Sequence, residues 1–329
     1  MDETGAPSVP GADSPREDPP RNDPPREDPP DNPFERLRSR WLIPCTLGAG
    51  AAILILLLLL TEIVGFATGG AFAADDATRQ ILSMLAGYGG MVAWLVWACR
   101  RAGVDFGRLI GRVPAGHDWA ITGALLAVTI AFSYGSWELV AWILTRVAPD
   151  LLTWLVQMLP ERPTGNLGHH IIMVLVLVVA APLVEEVLFR GVLISRWGVK
   201  WGSRAGIVIS AVAFGILHAN VIGIGFVGLV AAMLYFQTRT LIVPIVFHAA
   251  NNTIATIGMY LPGGSDAAAI MDGDGWLGFL LVFVTLPVLI WYLWRYWPAR
   301  DAVIPYMGGG AEDKDQGAED DDQDAEGSR

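Results

Sequence analysis

The chain has little cysteine, little charge outside its ends, and no HExxH zinc-protease helix. Its two cysteines, Cys45 and Cys99, lie in apolar runs at no metal or redox spacing, which excludes a disulfide framework or a thiolate metal site and leaves packing as their expected role. Charged residues make up 17% of the 329 positions, hydrophobic ones 53%, and there are 13 tryptophans. That balance excludes an ordinary soluble domain and reads as a polytopic membrane protein. The first forty residues show no apolar core with a cleavage site, so no signal peptide is expected and the first apolar helix should itself direct insertion.

The formal charge of −11 is concentrated at the ends: residues 1–40 and 301–329 hold 20 of the 33 acidic and 8 of the 22 basic residues. The remaining body is close to neutral. Residues 16–30 read REDPPRNDPPREDPP, a repeat whose paired prolines cannot form a helix and which carries no apolar surface to bury. The end, AEDKDQGAEDDDQDAEGSR, is an acidic low-complexity tail. The expected organisation is a disordered arm over 1–40, a membrane bundle over 41–300 and a disordered tail over 301–329.

A bilayer core takes about 20 apolar residues per helix, and eight candidate spans follow: roughly 41–66, 80–99, 119–144, 169–195, 203–219, 221–237, 241–260 and 276–297. The fifth and sixth are the shortest. The fold class expected is therefore all-α, a polytopic helical bundle. Between the third and fourth spans, Leu151, Leu152, Leu155, Met158 and Leu159 share one helical face, which predicts an interfacial helix. Arginine and lysine cluster in alternate loops, at Arg36 to Arg40, Arg100 to Arg112, Arg196 to Arg204, Arg239 and Arg295 to Arg300, with only Arg79, Arg146 and Arg162 on the other side. With eight spans and both termini cytoplasmic, every cluster lies inside, as the positive-inside rule asks. A cell membrane is the expected location; no nucleic-acid partner is expected.

Against this background, APLVEEVLFRGVLISRW (residues 181–197) places three charges inside an apolar span, where each is costly unless something pairs or uses it. Glu186 and Arg190 stand four apart on one helical face, in the favourable order for an ion pair. Glu185 is turned about 100° away and has no local partner. His218 ends FGILH on the fifth segment; His248 and Asn252, four apart, lie in FHAANN on the seventh. His117, His169 and His170 fall at helix ends and read as interfacial. Glu62 and Glu138 lie near the outer ends of their helices, where snorkelling accounts for them.

These motifs resemble those of the CPBP family of intramembrane proteases, which includes the type II CAAX prenyl endopeptidases and bacterial proteins of bacteriocin processing and immunity. EEVLFR matches EExxxR, FGILH matches FxxxH and HAANN matches HxxxN, in that order, across Glu185 to Asn252. The resemblance implies that Glu185 is the general base, acting with His218 on a water that attacks the scissile carbonyl, and that His248 and Asn252 stabilise the oxyanion. Glu186 and Arg190 become supporting residues, and Phe214 a packing one. The implied substrate is a membrane-associated protein or peptide, prenylated or of bacteriocin type. No cofactor is expected. The alternatives are a zinc protease, with Glu185, His218 and His248 as ligands, and a non-catalytic binding or immunity protein with the same fold. His218 poses a geometric problem: it lies about 20 Å along its helix from Arg204, farther from the membrane face than the other two groups.

Overall fold

The computed structural model describes residues 32–37, 39–70, 75–157, 159, 165–261, 274–300 and 302–308. The Pro-rich repeat, the acidic tail, Arg38, Met158 and Arg162 lie outside the described residues. Every regular element among those described is helical.

Helix α1 (Ser39–Ala67) and helix α2 (Asp76–Ala102) form a close antiparallel pair. The Asp75 carboxylate accepts from the Thr78 N–H at 2.8 Å and so starts α2 at a defined residue. The two backbones approach so closely that a Cβ on Gly50 or Gly90 would stand 2.6 Å from a carbonyl oxygen of the opposite helix. At the far end of the pair Arg79 meets Glu62 at 2.5 Å. Glu62 is thus an ion-pair partner between helices and not a lone snorkelling side chain.

A short helix α3 (Phe106–Ile110) leads to α4 (Trp119–Val147), which Asp118 caps. Helix α5 (Pro149–Gln157) follows where the interfacial helix was expected. Leu152 is fully buried and packs with Leu155, Val156 and Leu159 against Trp137, Ala141 and Leu144 of α4. Leu151, expected on that face, points outward beside Trp154: the packing face is turned toward Val156.

Helix α6 runs Leu167–Trp201 and contains two π-helical stretches, Val176–Ala180 and Val187–Leu193, on either side of Ala181–Glu186. The chain turns at Gly202, whose φ of 90° suits glycine, and α7 (Ser203–Ile216) packs back along the end of α6. Helices α8 (Val221–Thr238), α9 (Ile242–Tyr260) and α10 (Trp276–Tyr296) complete the bundle.

Seven of these helices are long and apolar enough to cross a membrane. The fifth expected span is α7, with 14 residues, about 21 Å long against a core of about 30 Å. Its shortness and the length of α6 together resolve the problem of His218. Helix α6 continues to Trp201, beyond its expected end at 195, so Glu185 lies about 24 Å back from the Gly202 turn and His218 about 22 Å forward of it. The two sides of the hairpin bring both groups to one level.

The bundle also takes in residues expected in the arms. Phe34, in the 3-10 turn Pro33–Arg36, is fully buried and meets Tyr306 edge-on at 4.9 Å, while Ile304 packs on Gly198. These apolar side chains follow or precede the charged repeats, so composition averaged over each arm hides them.

Candidate active site

The site is assembled from α6, the residue just beyond α7, and α9, with α2 and α8 behind it. Glu186 and Arg190, on successive turns of α6, are both fully buried and bonded at 2.6 Å. Neither is confined to the local pair. The same Glu186 oxygen lies 2.8 Å from Nδ1 of His248 on α9, and Arg190 donates a second bond to the Gly228 carbonyl of α8 at 3.0 Å. The guanidinium also sits over the Phe214 ring of α7 at 4.4 Å. Four helices therefore meet on one buried ion pair.

Glu185 faces the other way, as the helical phase requires. Its Oε1 accepts from the Tyr88 hydroxyl of α2 at 3.1 Å, while its buried Oε2 has no hydrogen-bond partner. That oxygen is approached by Nε2 of His248 at 3.8 Å and by Nε2 of His218 at 4.0 Å. Such separations are too long for direct hydrogen bonds. Each separation is one that a single bridging water spans.

The imidazole orientations are set from behind. His218 Nδ1 is 2.7 Å from the Phe214 carbonyl, which only accepts, so Nδ1 carries the hydrogen and the Nε2 of a neutral ring offers a lone pair. His248 Nδ1 likewise donates to the Glu186 carboxylate, which fixes the ring's orientation; Nε2 can donate as well only when both ring nitrogens carry hydrogen. Phe214 is fully buried with its ring against both, at 4.7 Å from His218 and 5.5 Å from His248. Side-chain exposure falls from 34% at His218 through 13% at Glu185 to 4% at His248. The cluster is open on the His218 side and closed at its base.

Six of the residues singled out from sequence, Glu185, Glu186, Arg190, Phe214, His218 and His248, come together. Asn252 does not make the expected approach: its Nδ2 donates to the Leu177 carbonyl at 2.9 Å, and its Oδ1 accepts from Asn251. That amide ties α9 to the first π-helical stretch of α6. The remaining histidines stay out of the cluster, His117 bonding Thr122, His169 completing the N-cap of α6 and His170 bonding Tyr260. Tyr88 was missed. Its signal was a phenol in mid-span, where a hydroxyl requires a partner.

Glu185 Oε2 and the two Nε2 atoms are the kinds of donor zinc accepts, but a tetrahedral zinc with bonds of about 2.0 to 2.2 Å sets its donors about 3.3 to 3.6 Å apart. The separations of 3.8 and 4.0 Å are wider, and among the described residues no group of three or more His, Cys, Asp or Glu has metal-site geometry. The arrangement is looser than a zinc site, so no chemical step is assigned to a metal.

Residues 167–254 match the type II CAAX prenyl endopeptidase Rce1-like family. This is a protease family, in agreement with the CPBP resemblance of the motifs. The Rce1-like segment contains α6 to α8 and α9 as far as Ile254, and with them EEVLFR, FGILH and HAANN. Tyr88, on α2, lies outside it. No curated protein and no solved structure matched the chain.

Proposed function

We propose that this protein is an intramembrane endopeptidase that hydrolyses a peptide bond of a membrane-associated substrate with a water activated by Glu185 and His218. The observation that carries the reading is the convergence of three atoms, Glu185 Oε2 and the Nε2 atoms of His218 and His248, with that Oε2 buried and without a partner. The Rce1-like match supports it.

In this mechanism the water sits between Glu185 and His218. Glu185 takes its proton as the oxygen attacks the scissile carbonyl carbon, while the His218 lone pair holds the second hydrogen and aims the oxygen. His248, held from behind by Glu186, acts with hydrogen on both ring nitrogens and donates from Nε2 to the oxyanion, where a fixed donor in a dry site is far more effective than in water. The C–N bond breaks as Glu185 returns its proton to the leaving nitrogen, giving one carboxylic acid and one amine. Arg190 holds Glu186, and Glu186 holds His248. Asn252 acts through Leu177 by fixing the spacing of α6 and α9.

The test is cleavage by the full chain reconstituted in liposomes, with a farnesylated peptide ending in a CAAX sequence and a non-prenylated membrane peptide as substrates, read by mass spectrometry. New termini with the wild type and none with Glu185→Gln support the proposal. Tight binding of either peptide without cleavage favours the non-catalytic binding reading.

A further inference from the structure

Away from the catalytic cluster, the 3-10 turn before α1, the first turn of α1 and the last turns of α2 line one open hollow, and the last turns of α2 alone line a second, shallower one beside it. One, of about 400 Å³, is lined by Arg36, Trp41, Trp94, Trp97 and Arg101, with small or aliphatic residues between them. The second, of about 460 Å³, shares Trp97 and Arg101 and adds Arg100. Among the described residues, no acidic side chain lines either hollow and Arg100 and Arg101 form no ion pair. Trp41 and Trp97 are 52% and 57% exposed. The Arg101 guanidinium lies 5.7 Å from the Trp97 ring centre.

We infer that these hollows bind the headgroup of an anionic phospholipid, its phosphate at Arg100 and Arg101 and its glycerol and first acyl carbons against Trp41 and Trp97. Three features favour a lipid over a free anion. The site lies where α1 begins and α2 ends, the level at which tryptophan meets headgroups. The cations stand beside exposed indole faces, which a small inorganic ion does not use and an acyl-glycerol does. The flanking outer surface of α1 continues as exposed Ile53, Leu56, Leu60 and Ile63, a path for the acyl chain. Basic pockets between membrane helices at this depth are the usual form of headgroup recognition. The assignment is independent of the protease reading and of which way the bundle faces.

The full chain purified in detergent should be melted with added phosphatidylglycerol, phosphatidylcholine or inorganic phosphate. Phosphatidylglycerol should raise the melting temperature, and the other two should not. Arg100→Gln and Arg101→Gln should each weaken the phosphatidylglycerol response about fivefold in concentration, and the double variant roughly 25-fold, with unchanged melting in phosphatidylcholine. A photoactivatable phosphatidylglycerol should label peptides containing Trp41 and Trp97 in the unmodified protein, which tests the site even if a variant fails to fold. An equal rise with phosphatidylcholine, an equal rise with phosphate, a response undiminished in the double variant, or labelling elsewhere overturns the inference. So does lipid binding that occurs only after residues 309–329 are removed, which gives the site to the acidic tail.

Discussion

The two adjacent glutamates are chemically identical in a motif, yet their surroundings assign them opposite consequences. Replacing Glu186 with Ala leaves Arg190 fully buried with only the Gly228 carbonyl and the Phe214 ring, and removes the acceptor behind His248. Breaking a buried pair from one side costs about 3 to 5 kcal/mol. For a bundle of this size that lowers the melting temperature by on the order of 10 °C. Glu185→Gln, in contrast, keeps an acceptor for Tyr88 and loses only the basic oxygen. Its melting temperature should stay within about 2 °C of wild type while cleavage falls by about 10² to 10⁴. Arg190→Ala should resemble Glu186→Ala. The double Glu186→Ala/Arg190→Ala variant should recover part of the stability, since no charge is orphaned, but not all, because His248 Nδ1 and the Gly228 carbonyl still lose their partners. Thermal melts and a cleavage assay on the same detergent preparations decide the matter. A Glu185→Gln protein that melts as early as Glu186→Ala, or a Glu186→Ala protein of full stability, would refute the assignment of the two helix faces.

Tyr88→Phe should lower kcat about three- to tenfold with KM and melting temperature little changed, because only the bond that fixes Glu185 Oε1 is lost; a variant of unaltered kcat removes Tyr88 from the site. Cleavage should survive exhaustive chelation; loss that zinc alone restores would make Glu185, His218 and His248 ligands. An N-terminus on the cytoplasmic side predicts that a cysteine introduced at Gly69, in the turn between α1 and α2, reacts with an impermeant reagent on intact cells and that one at Gly116, before α4, does not; the reverse pattern inverts the bundle.

The helical class, the positions of the long spans and six of the residues that converge in the buried cluster were legible because each depends on local pattern. Apolar length marks a span, and a four-residue spacing marks Glu186 with Arg190. What was not legible depends on contacts between distant segments. Glu62 read as isolated because Arg79 lies across a turn on the next helix. Asn252 read as an oxyanion donor because it shares a face with His248, but sharing a face does not say which atom lies opposite, and Leu177 takes its N–H. The shortness of α7 was hidden because its apolar run continues past Ile216 through the turn that carries His218. Tyr88 had no motif at all; only the packing of α2 on α6 makes it part of the site.

The four-helix convergence on the Glu186–Arg190 pair also sets an order of events during synthesis. Helix α6 is made before α7, α8 and α9, so it must enter the membrane with its charges but without their later partners. The pair on successive turns neutralises itself within α6 alone. His248 follows Glu186 by 62 residues, a delay of about 3 to 12 s at ordinary elongation rates. Until then Glu185 has no His248 imidazole beside it. A newly inserting chain therefore has the charges needed to settle in the bilayer some seconds before the cluster that the proposed cleavage requires is complete.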